Sequence, residues 1–241
     1  MKDRTLGIAQ YRSHYLGTQP EYLHAPYASS VARAPQHAPV RIPQTLSEVT
    51  GPASAGQDTT RACDLTLASG GGEAQGQRII VSGRVLDENA RPVRNTLLEI
   101  WQANAAGRYL HRFDQHDAPL DPNFTGVGHT LTDDEGRYRF ITIRPGSYPW
   151  GNHYNAWRPA HIHLSLFGPC VATRLVTQMY FPGDPMLEYD PIFNCTADPI
   201  ARRNLISNLD WETTIPQQAI GYRFDIILRG RDATPMETNH R

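Results

Sequence analysis

Cysteine is scarce in this chain. Its 241 residues include three, Cys63, Cys170 and Cys195. They form no close pair and leave one odd, which argues against both a disulfide framework and a zinc knuckle. The expected compartment is therefore the reducing cytoplasm. No apolar run approaches the roughly 20 residues that a membrane helix needs. The opening MKDRTLGIAQYRSHYLG lacks the apolar centre of a secretory leader. A dominant charge sign is also missing. Lys and Arg number 23 against 24 Asp and Glu, which leaves no basic footprint for nucleic acid. Helical periodicity is nearly absent. One stretch, DPIARRNLISNL (198–209), reads as a helix, with Asp198 as N-cap, Pro199 at the first position and apolar residues at 200, 205, 206 and 209.

What the chain does contain is β-type alternation, and it starts late. Residues 1–75 are Pro-rich (HAPYASSVARAPQHAPVRIPQ) and then Gly-rich (GGGEAQGQ), without a regular apolar period. They read as an extended arm that packs on a partner rather than as a domain. From 76 to 241 strand patterns recur every 10 to 20 residues: RIIVSGRVLD, NTLLEIWQAN, GRYRFITI, AHIHLSLFG, ATRLVTQMYF and GYRFDIILRG. DENARPV and TDDEG supply turns between them. The fold class this predicts is all-β: a β-sandwich of mixed topology, with the arm in front and one short helix in the second half. Leu98 and Ile100 should face its core, with Trp101 against the core or beside the site.

The densest chemistry lies in SYPWGNHYNAWRPAHIHLSL (147–166). Side chains two apart in a strand share a face, so His161 and His163 can meet one ion. Leu164 and Leu166 need burial on the opposite face, so both faces are covered and the histidines need partners. No cysteine lies near them in the sequence, and Asp133, Asp134 and Glu135 sit in a turn. Tyrosines are plentiful: Tyr109, Tyr138, Tyr148 and Tyr154 all flank the pair. A phenol with pKa about 10 costs about 4 kcal/mol to hold ionised at neutral pH. A hard trivalent ion such as Fe(III) can offset that. Arg158 is pushed to extended geometry by Pro159, which brings a fixed cation close to the first histidine.

The segments EIWQANAAGRYLH, PNFTGVGHTLTDDEGRY, IRPGSYPW and WRPAHIHLSL resemble the intradiol ring-cleavage dioxygenases, and within them the iron-bearing subunit type of the protocatechuate-cleaving branch. The resemblance runs from about residue 26 to residue 230. It implies a mononuclear non-haem Fe(III) held by Tyr109, Tyr148, His161 and His163, with Tyr148 as the exchangeable ligand. It implies that Arg158 stabilises charge on the substrate and that Gln178 lies behind the histidines. Tyr27, Trp150 and Ile192 would line the substrate pocket, with Arg33 nearby on the arm. The implied reaction is O2-dependent ortho cleavage of 3,4-dihydroxybenzoate to 3-carboxy-cis,cis-muconate, a step of the β-ketoadipate route of aromatic catabolism. The implied partner is a homologous α subunit, paired with this chain in a larger oligomer.

Two departures bear on substituent preference: a serine precedes Tyr148-Pro149 where a second proline is expected, and His153 adds a titratable group near the pocket. An intradiol enzyme for another anionic catechol, such as a sulfonated one, is the nearest alternative. Residues 79–146 also resemble prealbumin-like binding sandwiches, which need no metal. That reading leaves YPW, WRPAHIH and the long arm unexplained.

Overall fold

A computed structural model describes residues 15–38, 40, 64–67, 71–168 and 175–237. Cys63 and Cys170, and most of the expected arm, lie outside the described residues. Two sheets face each other. In the first, β1 (Arg78–Leu86) runs antiparallel to β4 (Arg137–Ile143) and parallel to β10 (Ile220–Arg223) and β11 (Ile226–Ile227), with β9 (Asn208–Leu209) beyond β10. The second is antiparallel throughout, in the order β3 (Val127–Leu131), β2 (Leu97–Trp101), β7 (His161–Phe167), β8 (Leu175–Tyr180). A separate ribbon pairs β5 (Tyr148–Trp150) with β6 (Ala156–Arg158). The architecture is the predicted β-rich one, with mixed sheets and few short helices.

Alternation explains the core. Ile79, Val81 and Phe140 of the first sheet pack in one cluster with Leu98, Ile100, Ile162, Leu164 and Leu166 of the second. Each fully buried side chain of this size contributes about 1.5–3 kcal/mol. Both predicted turns form by one device. The Asp87 carboxylate accepts the N–H groups of Asn89 and Arg91, and the Asp133 carboxylate accepts those of Glu135 and Arg137. An aspartate that captures the backbone two and four residues ahead closes a turn without help from the core.

Three sequence expectations are revised. The helix expected over 198–209 is limited to Pro199–Arg203, although Asp198 caps it as foreseen by accepting from the N–H of Ile200. It stops because the following backbone pairs with β8: Tyr180 donates to the Leu205 carbonyl, and Ser207 donates to the Tyr180 carbonyl. Tertiary pairing overrides the helical pattern there. It is not the only helix, since Ala28–Arg33 (α1) lies within the expected arm and Pro191–Asn194 (α2) precedes Pro199–Arg203 (α3), with a 3-10 turn at Pro185–Tyr189. The strand expected over 221–230 divides in two, because the Asp225 carboxylate takes the Arg84 N–H that a strand carbonyl would otherwise accept. Gly83 permits this, as a Cβ there would collide with the Phe224 carbonyl. Among the described residues, no helix is long and apolar enough to cross a membrane.

Candidate active site

The outward face of the second sheet carries the polar residues. In register, Trp101, His163 and Gln178 lie side by side, and His161 lies beside Tyr180. His161 and His163 are both buried, with ring centroids 4.9 Å apart. The Nδ1 of His161 lies 2.7 Å from the Pro159 carbonyl, and the Nδ1 of His163 lies 2.9 Å from the Glu237 carboxylate. Both partners are acceptors, so each Nδ1 carries a proton and donates it. Trp101 stacks on His163 with centroids 4.8 Å apart and planes within 8°.

The four tyrosines separate clearly. Tyr138 points into the core and donates to the Phe224 carbonyl, while Tyr154 is fully exposed. Tyr109 and Tyr148 meet edge to face, with centroids 5.3 Å apart. The loop after β2 brings them together. The Asn104 side chain accepts from the N–H groups of Ala106 and Arg108, and the Asp114 carboxylate accepts from that of Tyr109. Gly107, at φ +78°, lets this loop touch the residue before Tyr148: a Cβ there would collide with the Ser147 carbonyl. Tyr148 stands opposite Arg158 in the ribbon, its hydroxyl 3.2 Å from His161 Nε2.

Arg158 is 3% exposed and fully engaged. Its Nη2 donates to Gln178 Oε1 at 2.6 Å, to the Tyr180 hydroxyl at 2.9 Å and to Asp190 Oδ2 at 2.8 Å. Its Nε donates to Asp190 Oδ1 at 3.3 Å, and its Nη1 lies 3.3 Å from His161 Nε2. The guanidinium also sits over the Trp150 ring, 5.5 Å from its centroid. Burial alone would lower its pKa, but the Asp190 carboxylate carries it well above the ordinary value, so the cation is permanent. Burial drives His161 well below its ordinary value, and Arg158 adds to that, so the imidazole is neutral. Burial pushes Tyr109 well up, with Tyr148 next to it adding to the effect, and it also raises Tyr148 against the pull of Arg158.

These donors fit a hard cation. The Tyr109 hydroxyl is buried and, among the described residues, has no hydrogen-bond partner, an orphan that a metal would satisfy. Among the described residues, no three His, Cys, Asp or Glu side chains gather as an ion would need. Any ion held here must therefore draw on the phenols. Two imidazoles and two phenols that ionise only beside strong positive charge are a donor set for a trivalent ion rather than for zinc.

Part of the expected arm packs on the ribbon. Tyr27 is buried against Trp150 with centroids 5.6 Å apart, and the Arg33 guanidinium lies 5.2 Å from the Tyr27 centroid. Asn152 fixes this contact by accepting from the Ala28 N–H and donating to the Pro26 carbonyl, both at 2.8 Å. Ile192 is buried next to Asp190, which accepts its N–H. His153 lies at the exposed surface with its Nδ1 2.7 Å from the Tyr154 carbonyl. Sequence reasoning did not single out Asp190, Tyr180, Asp114, Asn152 or Glu237. Asp190 carried a signal, as an aspartate before proline, but only that of a helix cap.

Comparison with known proteins gives the family. The family profile described as "Dioxygenase" matches residues 49–230, and that described as "Protocatechuate 3,4-dioxygenase beta subunit N terminal" matches residues 11–45. The chain belongs to the intradiol dioxygenase family. It is 59% identical to the protocatechuate 3,4-dioxygenase beta chain of Burkholderia cepacia over 91% of this chain and 94% of that one. It is 29% identical to the protocatechuate 3,4-dioxygenase alpha chain of Pseudomonas putida, covering 80% and 95%. Among solved intradiol dioxygenases, the 3-chlorocatechol 1,2-dioxygenase of Rhodococcus opacus superposes with a TM-score of 0.51 at 25% identity, covering 68% of this chain and 63% of that one.

Proposed function

We propose that this chain is the iron-bearing β subunit of an enzyme that opens the ring of 3,4-dihydroxybenzoate with O2, between its hydroxylated carbons, to give 3-carboxy-cis,cis-muconate. The observation that carries this reading is one constellation. Tyr109, Tyr148, His161 and His163 converge beside a buried, permanently charged Arg158. The 59% identity to a protein named for protocatechuate supports the substrate. An Fe(III) ion at these four donors would supply Lewis acidity, lowering the pKa of its phenol ligands and of a bound catechol and drawing electron density that lets the ring react with O2.

The residues divide the remaining work. Tyr148, opposite Arg158 in the ribbon, would be the exchangeable one of the residues holding that ion, and its Oη would take up one catechol proton. Arg158 stabilises negative charge that builds on the ring. Gln178, Tyr180 and Asp190 keep its guanidinium aimed, so no reorganisation is needed when charge appears. Tyr27, Trp150 and Ile192 wall the pocket and exclude water, and Arg33 offers a cation on the side of the arm. A homologous α subunit completes the assembly, packing against the arm of residues 1–75. The exposed Leu110, Phe113 and Trp157, close in the chain to Tyr109 and Arg158, offer it a second apolar surface. The scarcity of cysteine in the sequence supports a cytoplasmic enzyme.

The deciding experiment is an iron assay with a visible spectrum on this chain co-expressed with its α partner. A broad tyrosinate-to-iron band, about one iron per chain and a shift of the band on anaerobic addition of 3,4-dihydroxybenzoate are expected. A folded, colourless, iron-free complex from iron-supplemented cells would overturn the reading. A shift with a sulfonated catechol but not with 3,4-dihydroxybenzoate would overturn the assigned substrate while keeping the chemistry.

A further inference from the structure

The two histidines are oriented by very different means. His161 is held locally, by the carbonyl of Pro159 two residues away. His163 depends on Glu237, which lies 74 residues further along the chain. Glu237 is itself held by a strap, residues 233–237, that is bonded at nearly every step. Thr234 exchanges hydrogen bonds with Ile227, its N–H donating to the carbonyl and its hydroxyl accepting the Ile227 N–H. The Pro235 carbonyl accepts from the Thr177 hydroxyl, the Met236 N–H donates to Gln19 of the arm, and the Glu237 N–H donates to the Val176 carbonyl. Thr177 and Val176 immediately precede Gln178, the register partner of His163. The strap thus delivers a carboxylate to the far side of this one imidazole. The Glu237 side chain is 7% exposed, and the His163 side chain 10%.

A carboxylate so buried is costly unless charge or hydrogen bonding offsets it. Asp190 already balances Arg158. A trivalent ion with two phenolates still carries one positive charge, which Glu237 matches through the His163 ring. Metal-bound histidines generally donate their second N–H to such a group, which fixes the ring and makes it a stronger donor.

We propose that Glu237 is a positioning residue for the metal centre, setting the tautomer and plane of His163 and its donor strength through the Nδ1–H bond, and that the strap of residues 233–237 is thereby part of the site. This rests on the metal reading above. It makes Glu237→Gln the informative variant: nearly the same shape, still an acceptor, but without charge.

The test compares wild type, Glu237→Gln, Glu237→Ala and Glu237→Asp, each co-expressed with the α partner. Iron affinity is measured by chelator competition, and melting temperature with and without iron. Iron affinity should fall roughly 10- to 100-fold in Glu237→Gln, further in Glu237→Ala, and partly recover in Glu237→Asp. The metal-free melting temperature of Glu237→Gln should stay near that of wild type, while the rise on adding iron shrinks. The tyrosinate-to-iron band should move to longer wavelength, because a weaker imidazole donor leaves the metal more electron-poor. Unchanged iron affinity in Glu237→Gln, or equal falls in melting temperature with and without iron, would make Glu237 a structural tether and overturn the proposal. A wild type that takes up no iron would overturn the metal reading itself, and this proposal with it.

Discussion

On strand β7, Ile162, Leu164 and Leu166 are all buried, and so are His161, His163 and Ser165 between them, yet the two sets are held by different means. The even-numbered residues face the opposing sheet and need only apolar neighbours of suitable volume. The odd-numbered histidines face outward and need particular partners: Pro159, Trp101, Arg158 and Glu237. Dispersion and burial forgive substitutions that preserve volume. A buried polar network does not, because each member lost leaves another without a partner. A single strand thus carries a tolerant face and an intolerant one, separated by the thickness of a backbone.

Substitutions on each face should separate the two. The largest effect is expected from Arg158→Ser. Turnover of 3,4-dihydroxybenzoate at saturation should fall roughly 100- to 1000-fold while iron content holds. Urea unfolding should also show a loss of about 3–5 kcal/mol, as Asp190 is left buried and unpaired. Normal turnover would remove Arg158 from its assigned role. Leu164→Ala comes next, with about 2–5 kcal/mol lost in unfolding free energy. The fraction that remains folded should bind iron as wild type does, and loss of iron without unfolding would mean that the two faces are not independent. Tyr148→Phe should slow the stopped-flow substrate-binding phase by about 100-fold at the lower end of general-base effects. It should release less iron than His161→Ala, and equal iron loss in the two variants would contradict the exchangeable role. The smallest effect belongs to Asn152→Ala, which frees the arm at Pro26 and Ala28 at a cost of about 1 kcal/mol. It should raise KM more than it lowers kcat.

The tolerant face was legible in the sequence, because alternation is a local signal: RIIVSGRVLD and AHIHLSLFG became β1 and β7, with Leu164 and Leu166 buried as expected. So was the His-x-His pair, since a spacing of two in a strand dictates a common face. The partners were not legible. Asp190 grips Arg158 from 32 residues away, and Glu237 reaches His163 from 74, distances at which chain order carries no information about contact. The choice among four tyrosines was equally closed to pattern alone. Tyr138 and Tyr148 differ in whether the backbone turns them inward or toward the ribbon, and resemblance to the family was needed to select between them. The shortened helix shows the converse case. A correct local signal at Asp198 was cut off when β8 claimed the backbone at Leu205 and Ser207.

The strap also imposes an order in time. A chain made at about 5–20 residues per second emerges N-terminal part first. The loop of Tyr109 therefore appears first, then the ribbon of Tyr148 and Arg158, then the two histidines. Glu237 follows His163 by 74 residues, an interval of roughly 4–15 seconds at that pace. Gln178, the register partner of His163, follows early in that interval, but the imidazole still lacks the carboxylate proposed to orient it. Gln19, 217 residues before Met236, waits even longer for that residue's N–H. In the proposed reading the metal site is complete only once the segment that also bonds the arm at Gln19 has been made.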